Sequence, residues 1–288
     1  MSILKKYLTN NDQVVVYLIE ATDMVSKVRD MHSLSNVATA ALGRSMMATT
    51  MLAAMLKEKG QRITTSIKGD GPIGSIVVCA NKELDVKGYV ANPCVELPLN
   101  SVGKLDVAAA VGKGKLNIIK DIGMKEPFCG SCELFTSEIA EDYAYYFYTS
   151  EQTPSVVSLG VLIDEHNTVI KAGGYIIQPL PGCDEDTIIK IEEINKQIQS
   201  VTYLMLDLED LNDVVKTITV DNNAREIDSK VPNLNCDCSK ERIDKVIVAL
   251  GKKEAIEHVK EHDGIEVSCH FCNKVYKYNE QEVEKLFK

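Results

Sequence analysis

The chain has 288 residues, 45% of them apolar and 26% charged, with no Trp and a net charge of −10. Such a length supports one large domain plus something smaller, and the acidic balance disfavours binding to a phosphate backbone. No stretch of eighteen apolar residues is present and "MSILKKYLTNNDQ" lacks the apolar region of a secretory signal, so the expectation is a cytoplasmic protein with no membrane span.

The predicted elements begin with "QVVVYLIEA" (Gln13 to Ala21), a β-branched apolar run that reads as a buried strand. Thr22 is expected to cap a short helix to about Met31. A long helix follows from Ser35 to about Lys57, with Ala38, Leu42, Ser45, Thr49, Leu52 and Leu56 on one face. "RITTSIKG", "IGSIVVCA" and "LDVKGYVA" form an antiparallel meander, and "KLNIIKDI" adds a strand. Ser137 to Glu151 is predicted as a helix capped by Ser137. "SVVSLGVLIDEHNTVIKAGGYIIQPL" reads as a hairpin turning at Glu165, His166 and Asn167.

At "PLPGCDEDT" the chain changes character. Residues 184–230 carry twelve acidic and five basic residues, a local charge of −7. Two amphipathic helices are expected there, Asp186 to Leu206 and Leu208 to Ile218, followed by a polar loop, "DNNAREIDSKVPN". The tail from about Val231 holds a helix capped by Ser239 and stopped by Gly251, then a second helix, "KKEAIEHVKEH". A hairpin follows with Cys269 and Cys272 at its turn. Asn279 opens a last helix with Glu282 three residues on, a capping-box spacing. The fold class is α+β in three parts. Residues 1–183 form a core domain with a mixed or antiparallel sheet layered with helices. Residues 184–230 are an acidic helical linker, and residues 231–288 a small zinc-binding domain.

Nine cysteines in a reducing compartment need a reason, and paired ones there point to metal or redox chemistry. The tail is too short and too poor in large apolar side chains to hold itself together without a staple. Cys236, Cys238, Cys269 and Cys272 supply one, since Zn²⁺ takes four thiolates tetrahedrally and Cys-x-x-Cys at a hairpin turn is a common half-site. The N–H groups that open the helix after Cys238, with Lys240 and Arg242, are expected to favour thiolate at that pair. His270, and His258 with His262 at i, i+4, could also ligate, but four thiols already complete the tetrahedron. A closed four-sulfur site has no open position for hydrolysis. An inert staple and a redox switch both remain open on composition alone.

The spacing of the two cysteine pairs resembles the redox-regulated 33 kDa chaperonin family, heat shock protein 33. "TAALGRSMMATTMLAAMLK", "SIKGDGPIGSIVV", "SEIAEDYAYYFYTSEQ" and "GGYIIQPLPG" stand in that family's order. The resemblance implies an ATP-independent holdase chaperone, not an enzyme. One Zn²⁺ sits on the four cysteines in the reduced, inactive state. Oxidation then forms disulfides within the pairs, Cys236 with Cys238 and Cys269 with Cys272. Zinc leaves, the linker and tail unfold, and client-binding surface is exposed. The implied partners are unfolded client proteins, a second copy in an oxidised homodimer, and downstream foldase chaperones.

Other motifs read as decoys. "GDGPIG" (Gly69 to Gly74) matches a dinucleotide fingerprint on letters, but Pro72 lies inside it and a strand follows, so a hairpin turn is expected. "VGKGKL" lacks the rest of a phosphate loop. "CGSC" (Cys129 to Cys132) could serve a thiol oxidoreductase, but no helix begins there, and buried or accidental thiols are the expectation. Cys79, Cys94 and Cys183 read as core or loop residues. Met46, Met47, Met51 and Met55 could form an adaptable client surface, though helical spacing favours core packing. A zinc-ribbon module for nucleic acid is the remaining alternative. The tail's ten basic and eleven acidic residues speak against it.

Overall fold

The computed structural model describes residues 1–262 and 264–287, and the chain divides into two compact units, Met1–Leu234 and Asn235–Lys288. In the first unit the chain runs β1 (Ile3–Thr9), β2 (Val14–Glu20), α1 (Thr22–His32), α2 (Asn36–Ala54), β3 (Arg62–Gly69), β4 (Ser75–Asn81), β5 (Asp85–Val90) and α3 (Val107–Val111). It continues with β6 (Gly114–Asp121), β7 (Phe128–Glu133), α4 (Ala140–Thr149), β8 (Val156–Ile163) and β9 (Val169–Pro179). Then come α5 (Glu185–Gln197), α6 (Val201–Asp207), α7 (Leu211–Thr219), β10 (Arg225–Lys230) and β11 (Asn233–Leu234). One sheet has the order β10-β1-β2-β9-β8 and the other β11-β5-β4-β3-β6-β7. Every pairing in them is antiparallel except β11 with β5.

The continuous apolar run of β2 is explained by burial on both faces. Val15, Tyr17 and Ile19 enter a core shared with α1, α2, α4 and the second sheet. Val14, Val16 and Leu18 enter another, under α5, α6 and α7. The expected single apolar face of α2 is corrected here. Helix α2 is buried on all sides from Val37 to Ala53, apart from Arg44, because it touches strands of both sheets, and a helix apolar all round belongs inside. Met46, Met47 and Met51 are fully buried there, which makes them core rather than client surface.

Several helix ends differ from expectation. Thr22 is the first residue of α1, not its cap; its hydroxyl donates to the Glu20 carboxylate and accepts from the Ala172 N–H at 3.0 Å. Helix α4 starts at Ala140, not Ser137. The organiser is the fully buried Asp142, whose carboxylate accepts the N–H groups of Phe135, Thr136, Ser137 and Ile139 at 2.7–3.1 Å. Those bonds hold Ser137 and Ile139 at φ 66° and 73°, a region costly for residues with a Cβ. Asp142→Ala leaves four N–H groups without an acceptor. The expected loss is about 3–5 kcal/mol, well above a single lost hydrogen bond, read as a lowered midpoint in urea.

The segment 184–230 packs on the first sheet. Ile191, Val201, Met205, Val214, Val215 and Ile218 are buried against Tyr7, Val16, Leu18, Tyr175 and Ile177. Its first predicted helix is two: Ile198 leaves helical geometry and the Ser200 hydroxyl caps α6. Polar bonds pin the segment as well. The Tyr175 hydroxyl donates to Asn195 Oδ1 at 2.7 Å, Asn195 Nδ2 donates to the Ile218 carbonyl at 2.9 Å, and the Tyr7 hydroxyl donates to Asn212 Oδ1 at 2.9 Å. The predicted polar loop contains β10, which pairs with β1 along Leu4 to Leu8. Asp221 ties the end of α7 to the β1–β2 turn, accepting from Thr9 Oγ1 at 2.7 Å and the Asn10 N–H at 2.5 Å.

The second unit holds α8 (Lys240–Leu250), α9 (Lys252–His262), β12 (Ile265–Ser268), β13 (Val275–Tyr278) and α10 (Glu280–Leu286). Its elements follow the sequence reading. Ser239 caps α8, Gly251 ends it at φ 92°, and Asn279 and Glu282 form the capping box of α10. The buried core is small: Ile247, Ala255, Val259, Ile265, Tyr276, Tyr278 and Val283.

Candidate metal centre

Two local structures in the second unit bring the four tail cysteines together. Cys236 and Cys238 lie just before the cap of α8. There Arg242 donates to the Asp237 carbonyl at 3.1 Å and pairs with its carboxylate at 2.5 Å. Cys269 and Cys272 flank the β12–β13 turn. The Cys269 carbonyl accepts from the Cys272 and Asn273 N–H groups at 3.3 and 2.8 Å, and the Cys269 N–H donates to Lys274 at 2.9 Å. Asn273 closes the turn at φ 55°, a left-handed position that asparagine tolerates better than most side chains.

The four sulfurs lie within 4.8 Å of one another. Cys236 Sγ is 3.7 Å from Cys269 Sγ, and Cys238 Sγ is 3.4 Å from Cys272 Sγ. A tetrahedral ion with metal–sulfur bonds of about 2.3 Å separates its ligands by about 3.8 Å. The cluster therefore fits such an ion, and all four cysteines are free thiols. This is the one group of three or more Cys, His, Asp or Glu side chains of that kind among the described residues. An all-sulfur donor set suits soft or borderline cations. No histidine belongs to it: His258 and His262 are exposed on α9, their rings tilted by 50° with centroids 4.6 Å apart.

The sulfurs differ electrostatically. Burial pushes the Cys236 and Cys272 thiols up. At Cys238 burial acts the same way but is outweighed, chiefly by the Tyr276 hydroxyl donating to its sulfur at 3.2 Å, so its pKa comes down to about 7. Crowded, partly buried thiols cannot all ionise without a cation to offset them. Tyr276 was not among the sequence candidates. Its only signal was the alternation of β13, which turns Tyr276 and Tyr278 inward. The expected help from Lys240 and Arg242 takes another form, since Lys240 pairs with Glu282 at 2.9 Å and Arg242 with Asp237.

The other motifs fall elsewhere. "CGSC" is strand β7, so Cys129 and Cys132, three apart, project from opposite faces. Cys129 is exposed, while burial pushes the Cys132 thiol up to about 11, the reverse of an activated nucleophile. Cys129→Ser with Cys132→Ser is expected to leave metal content unchanged, checked by metal analysis of the purified double variant. "GDGPIG" is the β3–β4 turn, closed by backbone: a Cβ on Gly69 would lie 1.8 Å from the Val111 carbonyl oxygen. Cys79 lies on β4, and Cys94 and Cys183 lie in loops.

The family model described as "Hsp33 protein" matches residues 2–279. This chain belongs to the Hsp33 family. Curated Hsp33 relatives carry the name 33 kDa chaperonin. The protein of Caldanaerobacter subterraneus is 46% identical, the alignment covering 96% of this chain and 95% of that one. That of Acetivibrio thermocellus is 45% identical over 93% and 90%. The crystal structure of the Hsp33 homologue from Thermotoga maritima superposes with a TM-score of 0.91 at 36% identity, covering 99% of this chain and 97% of that one. Membership supports a chaperone function and agrees with the mixed helix-and-sheet architecture above. Among the described residues, no helix is long and apolar enough to cross a membrane.

Proposed function

We propose that this protein is a redox-regulated, ATP-independent holdase of the cytoplasm, with no catalytic activity, whose switch is the four-cysteine cluster. The observation that carries the reading is a closed set of four sulfurs in a unit of small apolar core. In the reduced state Cys236, Cys238, Cys269 and Cys272 hold one Zn²⁺. The ion offsets the thiolate charge and cross-links the α8 cap to the β12–β13 turn. Residues 231–288 are the switch and residues 184–230 the linker it controls.

Oxidation removes the ligands. Each pair of thiols loses two electrons and two protons as one peroxide is reduced to two waters, and a disulfide forms. In this reading the bonds form within the pairs, Cys236 with Cys238 and Cys269 with Cys272. The sulfurs of each pair already lie within 4.8 Å of one another in the ordered unit, and loss of the shared ion accompanies opening of the unit. A Cys-x-Cys disulfide is strained and readily reduced, which makes the switch reversible. The α5–α7 segment then leaves the first sheet and uncovers Val16, Leu18 and Ile177. Unfolded clients bind, the oxidised protein forms a homodimer, and foldases receive the clients.

The test is light scattering of a heat-aggregating client with reduced and with peroxide-treated protein, alongside metal release. Suppression only after oxidation, with one Zn²⁺ lost per chain, is the expected result. Equal suppression in both states removes the switch, and absence of zinc from the reduced protein removes the metal assignment.

A further inference from the structure

We propose that the free edge of β8 takes an extended, uncharged segment of a client as a sixth strand of the first sheet. The proposal rests on the chaperone reading above and names how one class of client segment is held.

Strand β8 ends its sheet and, among the described residues, pairs only with β9. Among the described residues, its outward backbone N–H and C=O groups have no protein partner. Its sequence, VVSLGVLI, carries no charge and no proline. The opposite edge, β10, reads REIDSK. Charge on an edge strand is the usual guard against unwanted pairing. One edge of this sheet is guarded and the other is not.

A cleft of about 720 Å³ runs along the unguarded edge. Every residue from Ser158 to Ile163 lines it. Successive residues of a strand point to opposite faces, so a cleft that meets all of them opens on the edge itself. Its walls confirm this. Val157, Val161 and Ile163 pack toward the core that holds α2, and Arg44 of α2, Leu99 and Leu105 form the wall on that side. A Cβ on Gly160 would lie 3.0 Å from Val201 and 2.8 Å from Thr202, so α6 stands on the other face, with Gln199 and Tyr203 at the rim. Leu99 is 59% exposed and Tyr203 57%, giving both rims an apolar lip.

The walls select the occupant. A strand recessed between two rims cannot meet the same recessed strand of a second copy, and a single strand pair buries less than the roughly 1,200 Å² of a stable dimer. A lone extended segment can enter, hydrogen-bonding along its backbone as in other strand-addition complexes. Arg44 and Glu138, paired with each other at 2.7 Å, and Lys104, Glu141, Asp164 and Glu165 also line the cleft, but the floor that a segment would pair with is the uncharged β8, which favours a segment that is itself uncharged and β-prone. Eight residues of β8 offer roughly 26 Å of pairing length. One wall belongs to the α5–α7 segment, so release of that segment widens the entrance.

The probe is a fluorescent, acetylated octapeptide alternating Val and Thr, with two analogues N-methylated on one or the other alternate set of residues. Binding is followed by fluorescence anisotropy and amide hydrogen exchange on the full chain, reduced and peroxide-treated. Methylating one set removes the pairing N–H groups and should weaken binding at least tenfold, while the other set changes it little. Leu162→Glu, whose new carboxylate faces Lys171 across the ladder, should weaken the parent peptide at least tenfold, and amides of β8 should gain protection in the wild-type complex. No binding in either state, equal binding of both analogues, or protection elsewhere with β8 unchanged would overturn the proposal. Oxidised protein that suppresses aggregation while β8 gains no protection sinks strand addition and leaves the holdase standing. Equal β8 protection in both redox states does the reverse, keeping strand addition and removing the switch.

Discussion

Cys269→Ser unfolds residues 235–288, releases α5–α7 from the first sheet and leaves residues 1–183 folded. Among the described residues the second unit buries only seven core residues, three of them Ala or Val. A domain is typically stable by about 5–15 kcal/mol, whereas structural zinc contributes about 10–16 kcal/mol in zinc-finger peptides. Removing the most buried of the four sulfurs therefore takes away most of what holds this unit together. Metal content should fall from about one ion per chain to near zero. Amide protection should vanish across α8, α9 and the β12–β13 hairpin while β2, β9 and α2 keep theirs. Acid should do the same to the unsubstituted protein, because binding requires deprotonated thiols and metal affinity falls as protons compete for them. A metal-free variant whose tail remains protected would show that the seven-residue core suffices alone.

Ile218→Asp turns the chaperone on without oxidant. Ile218 is fully buried in α7, with Val214 and Val215, against Tyr7, Val16 and Leu18 of the sheet. A carboxylate there has no cationic partner in the cluster. Burying an unpaired charge belongs to the small class of changes that cost about 4 kcal/mol or more. The segment carries a −7 charge of its own, so self-repulsion adds to the loss. Residues 184–220 should exchange their amides rapidly in the reduced, metal-loaded protein, and that protein should suppress aggregation as the oxidised wild type does. Ile218→Val, costing about 0.5–1.5 kcal/mol, should behave like wild type. Rapid exchange of the segment without suppression would separate undocking from client binding.

The second unit was legible residue by residue, because its signals are local. A Ser cap, a Gly stop, a capping box and a Cys-x-x-Cys turn each act within four residues. The meander β3–β4–β5 was legible for the same reason. What the sequence concealed depends on distant partners. Strand β10, REIDSK, has no apolar alternation and is a strand only because β1 offers it an edge. Ser137 is the better capping residue by type, yet Asp142, five residues on, holds that corner. Helix α2 looked amphipathic because a window of sequence cannot show that sheets lie on both sides. The cluster was legible as four ligands, whereas Tyr276 became visible only once the hairpin set its hydroxyl beside Cys238.

The strand order β10-β1-β2-β9-β8 puts the two ends of the helical segment into the same sheet, leaving β9 at Pro179 and re-entering it at Arg225. Three strand spacings, roughly 14 Å, separate those anchor points. A detached α5–α7 is thus a loop pinned at both ends rather than a dangling arm. Its return is a unimolecular event whose entropic cost grows only with the logarithm of loop length. Shutting off needs no search through solution, and its rate should not depend on protein concentration.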